Sequence, residues 1–172
     1  HHTTYFTIRG GESNPQLVSP EIGWNYLKDN LAQGGIHYFD ENLNGVNCGD
    51  FTGIFKIHDN VIVNQAGPAL ENYAKCPTTT KFEYYNNIAI NSGLKSAFGP
   101  THTDGTLYEA VMIGQAGGSD ASHAELNFYN NVFYKWNDMD QTGQLNSCIG
   151  FHAIEATITI KWTDNICLTD KD

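Results

Sequence analysis

Positive charge is scarce in this sequence of 172 residues. Nine Lys and Arg stand against nineteen Asp and Glu, the formal net charge is -10, and Arg9 is the only arginine. Phosphate recognition leans on Arg and Lys, so the composition argues against nucleic-acid binding. Long apolar runs are absent too. None approaches the roughly 20 residues that cross a bilayer as a helix. No signal-peptide pattern is visible; the chain opens His1-His2-Thr3-Thr4 and goes straight into the strand-like Tyr5-Phe6-Thr7-Ile8. Such a start is expected of a mature chain or an excised fragment. None of the four cysteines forms a C-x-x-C pair, which argues against a zinc ribbon or a thioredoxin-like site. No Gly-x-Ser-x-Gly, phosphate loop or dinucleotide motif occurs.

What is present points to a turn-rich β protein. Charged residues make up only 16% of the chain, and 9 Tyr, 9 Phe and 3 Trp supply core material, which argues against disorder. Asn occurs 18 times beside 17 Gly. Asn tolerates the left-handed backbone region and bonds its own neighbours, which suits tight turns; a helical bundle would use Ala, Leu, Glu and Lys. The acidity itself has two readings: solubility, or sites for divalent cations or neutral ligands.

One pattern recurs. Alternating apolar residues run into Asn/Asp-Asn and alternate again beyond it. Copies are Ile57-His58-Asp59-Asn60-Val61-Ile62-Val63, Phe82 to Ile90 around Asn86-Asn87, Leu126 to Tyr134 around Asn130-Asn131, and Ile160 to Leu168 around Asp164-Asn165. A weaker copy is Ile22 to Leu27 around Asn25. The anchoring asparagines are separated by 35, 27, 44 and 34 residues, a repeat of irregular period. Alternation is strand periodicity, and the Asx-Asn pair breaks it as a bend would. One short strand cannot bury its own face, whereas equivalent strands stacked in parallel ~4.8 Å apart build a continuous core. The expectation is one all-β domain over 1–172: a right-handed parallel β-helix of about five coils. Asn60, Asn87, Asn131 and Asn165 would form an asparagine ladder. A β-sandwich is the competing architecture. Second strands are predicted at 35–39, 68–73, 110–113 and 148–154, and 25–31 reads as strand in preference to helix. Cys48 and Cys76 lie at nearly equivalent offsets before Asn60 and Asn87, which suits a disulfide; Cys148–Cys167 is the remaining pair. An even cysteine count fits an oxidising, extracellular compartment.

The repeated I-x-D-N-V-I-V and Y-x-N-N-I-x-I phrases resemble the right-handed parallel β-helix superfamily of pectin-lyase-like proteins, over about residues 5 to 170. The resemblance implies a secreted or cell-surface protein that binds or processes polysaccharide along a groove, as a polysaccharide lyase or glycoside hydrolase. That superfamily also holds noncatalytic members, so the alternative is a structural or adhesive solenoid that assembles through its ends. Its enzymes are about twice this length, so the chain reads as part of a longer helix or as a unit that associates end to end.

Candidate sites follow. Thr103-Asp104-Gly105 resembles the Asn-Thr-Asp-Gly motif of polygalacturonases, with His102 in place of Asn. That family's adjacent Asp-Asp, Gly-His-Gly and Arg-Ile-Lys motifs do not follow. His102 and Asp104 are acid/base candidates, and an Asp-Gly turn beside a surface His is the plain alternative. Lys95 and Glu71 are placed with His37 and His152 on one face by coil stacking, as base and cation for a lyase; ordinary ion pairs are the plain reading. Asp40 and Glu41, in an oxygen-rich run, are the candidate ligands for Ca2+. Tyr38, Tyr85, Tyr129 and Trp136 are candidate sugar-stacking rings, with His37 and His152 beside them; the inward half of such rings is simply core.

Overall fold

A computed structural model gives the structure of the chain and describes residues 4–6, 16–17, 19–30, 34–39, 51–73, 80–93, 109–114, 125–136, 148–152 and 158–169. These residues are strands and bends, with no helix among them. Each coil contributes one strand to each of three parallel sheets. The first sheet runs β1 (Thr4–Phe6), β5 (Ile36–Phe39), β8 (Leu70–Tyr73), β11 (Val111–Gly114), β14 (Ile149–His152). The second begins with β2 (Gln16–Leu17) and β3 (Glu21–Gly23), both on β6 (Phe51–His58), then β9 (Thr80–Tyr85), β12 (Glu125–Tyr129) and β15 (Thr159–Thr163). The third runs β4 (Tyr26–Asn30), β7 (Val61–Gln65), β10 (Ile88–Ser92), β13 (Val132–Trp136), β16 (Ile166–Leu168). Five coils therefore stack as a parallel β-helix, and the second strands expected from the sequence are β5, β8, β11 and β14.

The bends explain the asparagines. Trp24, Asp59, Asn86, Asn130 and Asp164 all have φ between 51° and 57°, and each directly precedes a ladder asparagine. A left-handed residue turns the chain sharply from the second sheet into the third, and Asn or Asp enters that region at least cost. The bend leaves backbone groups without strand partners, and the next side chain supplies them. Asn60 Nδ2 donates to Ile22 O at 2.9 Å and to Asn87 Oδ1 at 3.0 Å. Asn87 Nδ2 donates to Ile57 O and Asn131 Oδ1, both at 2.9 Å. Asn131 Nδ2 repeats this with Tyr84 O and Asn165 Oδ1 at 2.8 Å. Asn25 Nδ2 joins at 2.9 Å to Asn60 Oδ1, so the file has five members. A second left-handed column, Asp29, Asn64, Asn91 and Lys135, ends the third-sheet strands. There Asn91 donates to Asn64 at 3.0 Å and Asn64 to Asp29 at 2.7 Å.

Register stacks like on like inside. Phe55 lies over Phe82 with ring centroids 5.6 Å apart, Tyr84 over Phe128 at 4.5 Å, and Tyr38 meets Phe82 edge-on at 4.8 Å. Leu27, Ile62, Ala89, Phe133 and Cys167 form the inner row of the third sheet. Asn72 is a buried polar residue in this core, and its Nδ2 donates to the Tyr84 hydroxyl at 2.6 Å. Cys148 and Cys167 form a disulfide, Cα–Cα 6.1 Å, that ties the start of β14 to β16. The expected Cys48–Cys76 pair lies outside the described residues.

The outward faces differ. On the second sheet one row reads Glu21, Lys56, Glu83, Asn127, Lys161 and the next Gly23, His58, Tyr85, Tyr129, Thr163. On the third, the outward rows are Tyr26, Val61, Ile88, Val132, Ile166 and Lys28, Val63, Ile90, Tyr134, Leu168.

Candidate functional site

The outward side of the second sheet carries a column of rings beside the asparagine file. His58, Tyr85 and Tyr129 each sit two residues before a ladder asparagine, so coil stacking superimposes them. His58 lies flat on Tyr85, centroids 4.6 Å apart and planes 3° from parallel; Tyr85 lies flat on Tyr129 at 5.0 Å and 5°. At the other end Trp24 meets His58 edge-on at 4.7 Å. The row position beneath His58 is Gly23, and a Cβ there would come within 2.7 Å of the imidazole, so only glycine leaves room for the ring. His58 is buried and is held between carboxylates: Nδ1 is 2.7 Å from Asp59 Oδ2 and Nε2 is 3.1 Å from Glu21 Oε1.

Because His58, Tyr85 and Tyr129 stack along the solenoid axis, their facing surfaces cover one another, while the edge-on Trp24 at the first end is 75% exposed. At the far end the stack stops. Tyr129 has Tyr85 on one face, and its neighbour on the other side in register is the small Thr163. An open depression of about 410 Å³ lies there, lined by Asn127, Phe128, Tyr129, Asn130, Lys161, Thr163 and Asp164. One aromatic face is thus surrounded by amide, hydroxyl, ammonium and carboxylate groups.

The electrostatics are acidic along the column. Burial, then the charges of Glu21, Asp59 and Glu83, push the Tyr85 hydroxyl above its usual range. Burial and Glu83 do the same for Tyr129. Both rings therefore stay neutral at physiological pH. Lys161 is neutralised in part by Glu125, 2.8 Å away; that bond, Asn127 and the cations Lys161 and Lys81 hold the Glu125 carboxyl below its usual range.

Other predicted residues sit elsewhere. His37 and Glu71 are neighbours in register on the first sheet, as expected, with Nδ1 2.9 Å from Oε2. Both are buried, however, and Tyr73 stacks on the imidazole at 5.2 Å, so the pair is embedded in the wall of the molecule. Burial first, then the charges of Glu71 and Glu109, raise the Tyr73 hydroxyl. His152 lies one row away from that pair, in line with Gly114. Tyr38 and Trp136 are core residues and offer no surface ring: Tyr38 packs on Phe55 and Phe82, and Trp136 is buried at the end of β13. Of the sugar-stacking candidates, Tyr85 and Tyr129 are the two the structure brings together. His102, Asp104, Lys95, Asp40 and Glu41 lie outside the described residues. Among the described residues, no group of three or more His, Cys, Asp or Glu is placed to hold a metal ion.

Trp24, His58 and the flanking Glu21, Asp59 and Glu83 were not among the sequence candidates. The signal was available: counting back two positions from each ladder asparagine aligns His58 with Tyr85 and Tyr129. No family model, no curated protein and no solved structure matches the chain.

Proposed function

We propose that the chain is an extracellular polysaccharide-binding β-helix, of the kind the pectin-lyase-like resemblance implies, and that the depression at Tyr129 receives a neutral sugar ring. The observation that carries this reading is the face of Tyr129 at the end of the ring column, where no further ring follows in register and a depression with a polar rim lies beside it. A pyranose presents flat C–H surfaces that pack on such a face, while its hydroxyls need amide and charged partners around the rim. Asn127, Asn130, Lys161, Thr163 and Asp164 supply those groups. The net charge of -10 and the flanking carboxylates disfavour polyuronates. The disulfide suits an oxidising compartment.

Binding is favoured over processing by the carboxylates. Among the described residues, Asp164 is the one carboxylate lining the depression, and glycoside hydrolysis uses two at a defined separation. Titration calorimetry with neutral oligosaccharides and oligouronates tests the reading. Neutral ligands are expected to bind and oligouronates not to. Binding is expected to survive chelation of calcium. Tyr129→Ala should weaken it about tenfold, the worth of one aromatic stacking contact. If the folded protein binds no neutral glycan, or if Tyr129→Ala binds as tightly as the parent, the reading fails. The structural or adhesive solenoid is then the better description.

A further inference from the structure

The third sheet breaks the rule its neighbour obeys. A sheet with one face on the core ordinarily turns polar side chains to water, as the second sheet does with its charged row. In the two outward rows of the third sheet nine of the ten positions are apolar, Lys28 being the exception, and the polar left-handed column Asp29, Asn64, Asn91 and Lys135 borders them. The inner row is apolar as well, so this sheet has the composition of one buried on both sides. Its outward face is nevertheless open: Ile88 is 41% exposed, Leu168 47% and Ile166 50%. A continuous apolar surface of this kind marks an interaction site, unlike scattered single residues.

We infer that this face is a homodimer interface, covered by the same face of a second copy. The side chains of this face repeat in register at the strand spacing of about 4.8 Å, so an identical sheet repeats with the same period. A two-fold axis parallel to the solenoid axis sets each strand antiparallel to its own counterpart and exchanges the two rows. Val61 then meets Val63 of the second copy, Ile88 meets Ile90, and Ile166 meets Leu168. The one charged side chain, Lys28, meets the ring of Tyr26, which is 65% exposed, and an ammonium over an aromatic face is a favourable contact. Two further charges border the patch: Asp29 pairs with Lys28 at 3.3 Å, and the Lys135 ammonium lies 5.5 Å over the Tyr134 ring. The interface is isologous and closes on itself.

Size fixes its strength. Five strands and two rows span about 24 Å by about 12 Å, so the pair of copies buries on the order of 600 Å² in total, well below the roughly 1,200–2,000 Å² of stable complexes. The dimer is therefore weak and concentration-dependent. Each copy carries a formal charge of -10, so the copies repel at low ionic strength and screening tightens the association.

Sedimentation equilibrium on the whole chain tests this, from micromolar to near-millimolar protein at low and high salt. A reversible monomer–dimer equilibrium is expected, tightened several-fold by salt. Ile88→Lys and Ile90→Lys each place a charge in the middle of the patch without touching the core. Each should weaken dimerisation at least tenfold with an unchanged circular dichroism spectrum, and two variants guard against misfolding of one. Lys28→Glu should weaken it several-fold. A chain that stays monomeric throughout overturns the proposal, whatever else the face binds. So does a folded Ile88→Lys or Ile90→Lys protein that dimerises like the parent.

Discussion

Asn87 shows how much one side chain does in this fold. Its Oδ1 accepts from the backbone N–H of Asn60 at 3.2 Å and from Asn60 Nδ2 at 3.0 Å, while its Nδ2 donates to Ile57 O and Asn131 Oδ1. The residue is fully buried, so no water replaces a lost partner. Asn87→Ala leaves several buried groups unsatisfied at once and is expected to cost about 3 kcal/mol or more. Asn25 is exposed and hands on one rung, so Asn25→Ala should cost about 1 kcal/mol. Urea denaturation of the two variants gives the comparison directly. The buried phenols make a second prediction at this scale. Burial raises the Tyr84 hydroxyl, and burial with the charges of Glu71 and Glu109 raises that of Tyr73. A group whose ionisation is pushed upward in the folded state keeps its proton longer there than in the unfolded chain. Its contribution is intact below the unfolded value of about 10 and is lost as pH rises above it. The melting temperature is expected to fall steeply above that pH, and less steeply in Tyr84→Phe.

Among the elements, β16 depends most on a covalent tie. The Cys148–Cys167 bridge closes a sequence separation of 19 residues, and closing a loop of that size is worth about 3 kcal/mol in the chain-entropy account. β16 is hydrogen-bonded to β13, its one neighbour in the sheet order. Reduction should therefore open the last coil first: hydrogen exchange of β14 and β16 rises while β7 and β10 keep their protection. The strands were largely legible beforehand, because alternation marks their length and the Asx-Asn pair marks where the phase breaks. Which way a ring points was legible only where the phase was followed through the bends. In β5, Ile36 and Tyr38 point inward and His37 outward, so Tyr38 shares its face with the core. In β13, the left-handed Lys135 resets the alternation, and Trp136 turns inward beside the strand's other buried ring, Phe133. The ring column was only half legible, since Trp24 and His58 look unrelated to a tyrosine row until coils are aligned on the asparagines. The depression was not legible at all. It arises because Thr163, a small residue, follows Tyr129 in the row, and that is a property of two coils together.

On the scale of the whole molecule, each coil touches only the coils before and after it, so stability passes along one axis. A core truncation in a middle coil, such as Phe82→Ala, removes contacts to both neighbours and should cost about 3–5 kcal/mol. The three outward faces then divide the surface by chemistry. One wall embeds the His37–Glu71 pair, one carries charges and the ring column that ends at Tyr129, and one is apolar. All of these assignments require equivalent side chains to lie in file. The side-chain amides report that most directly. In a ¹⁵N hydrogen-exchange experiment by NMR, the Nδ2 protons of Asn60, Asn87 and Asn131 are expected to exchange as slowly as core backbone amides, and that of Asn25 far faster. If the three exchange as freely as exposed asparagine side chains, the coils are not stacked as described.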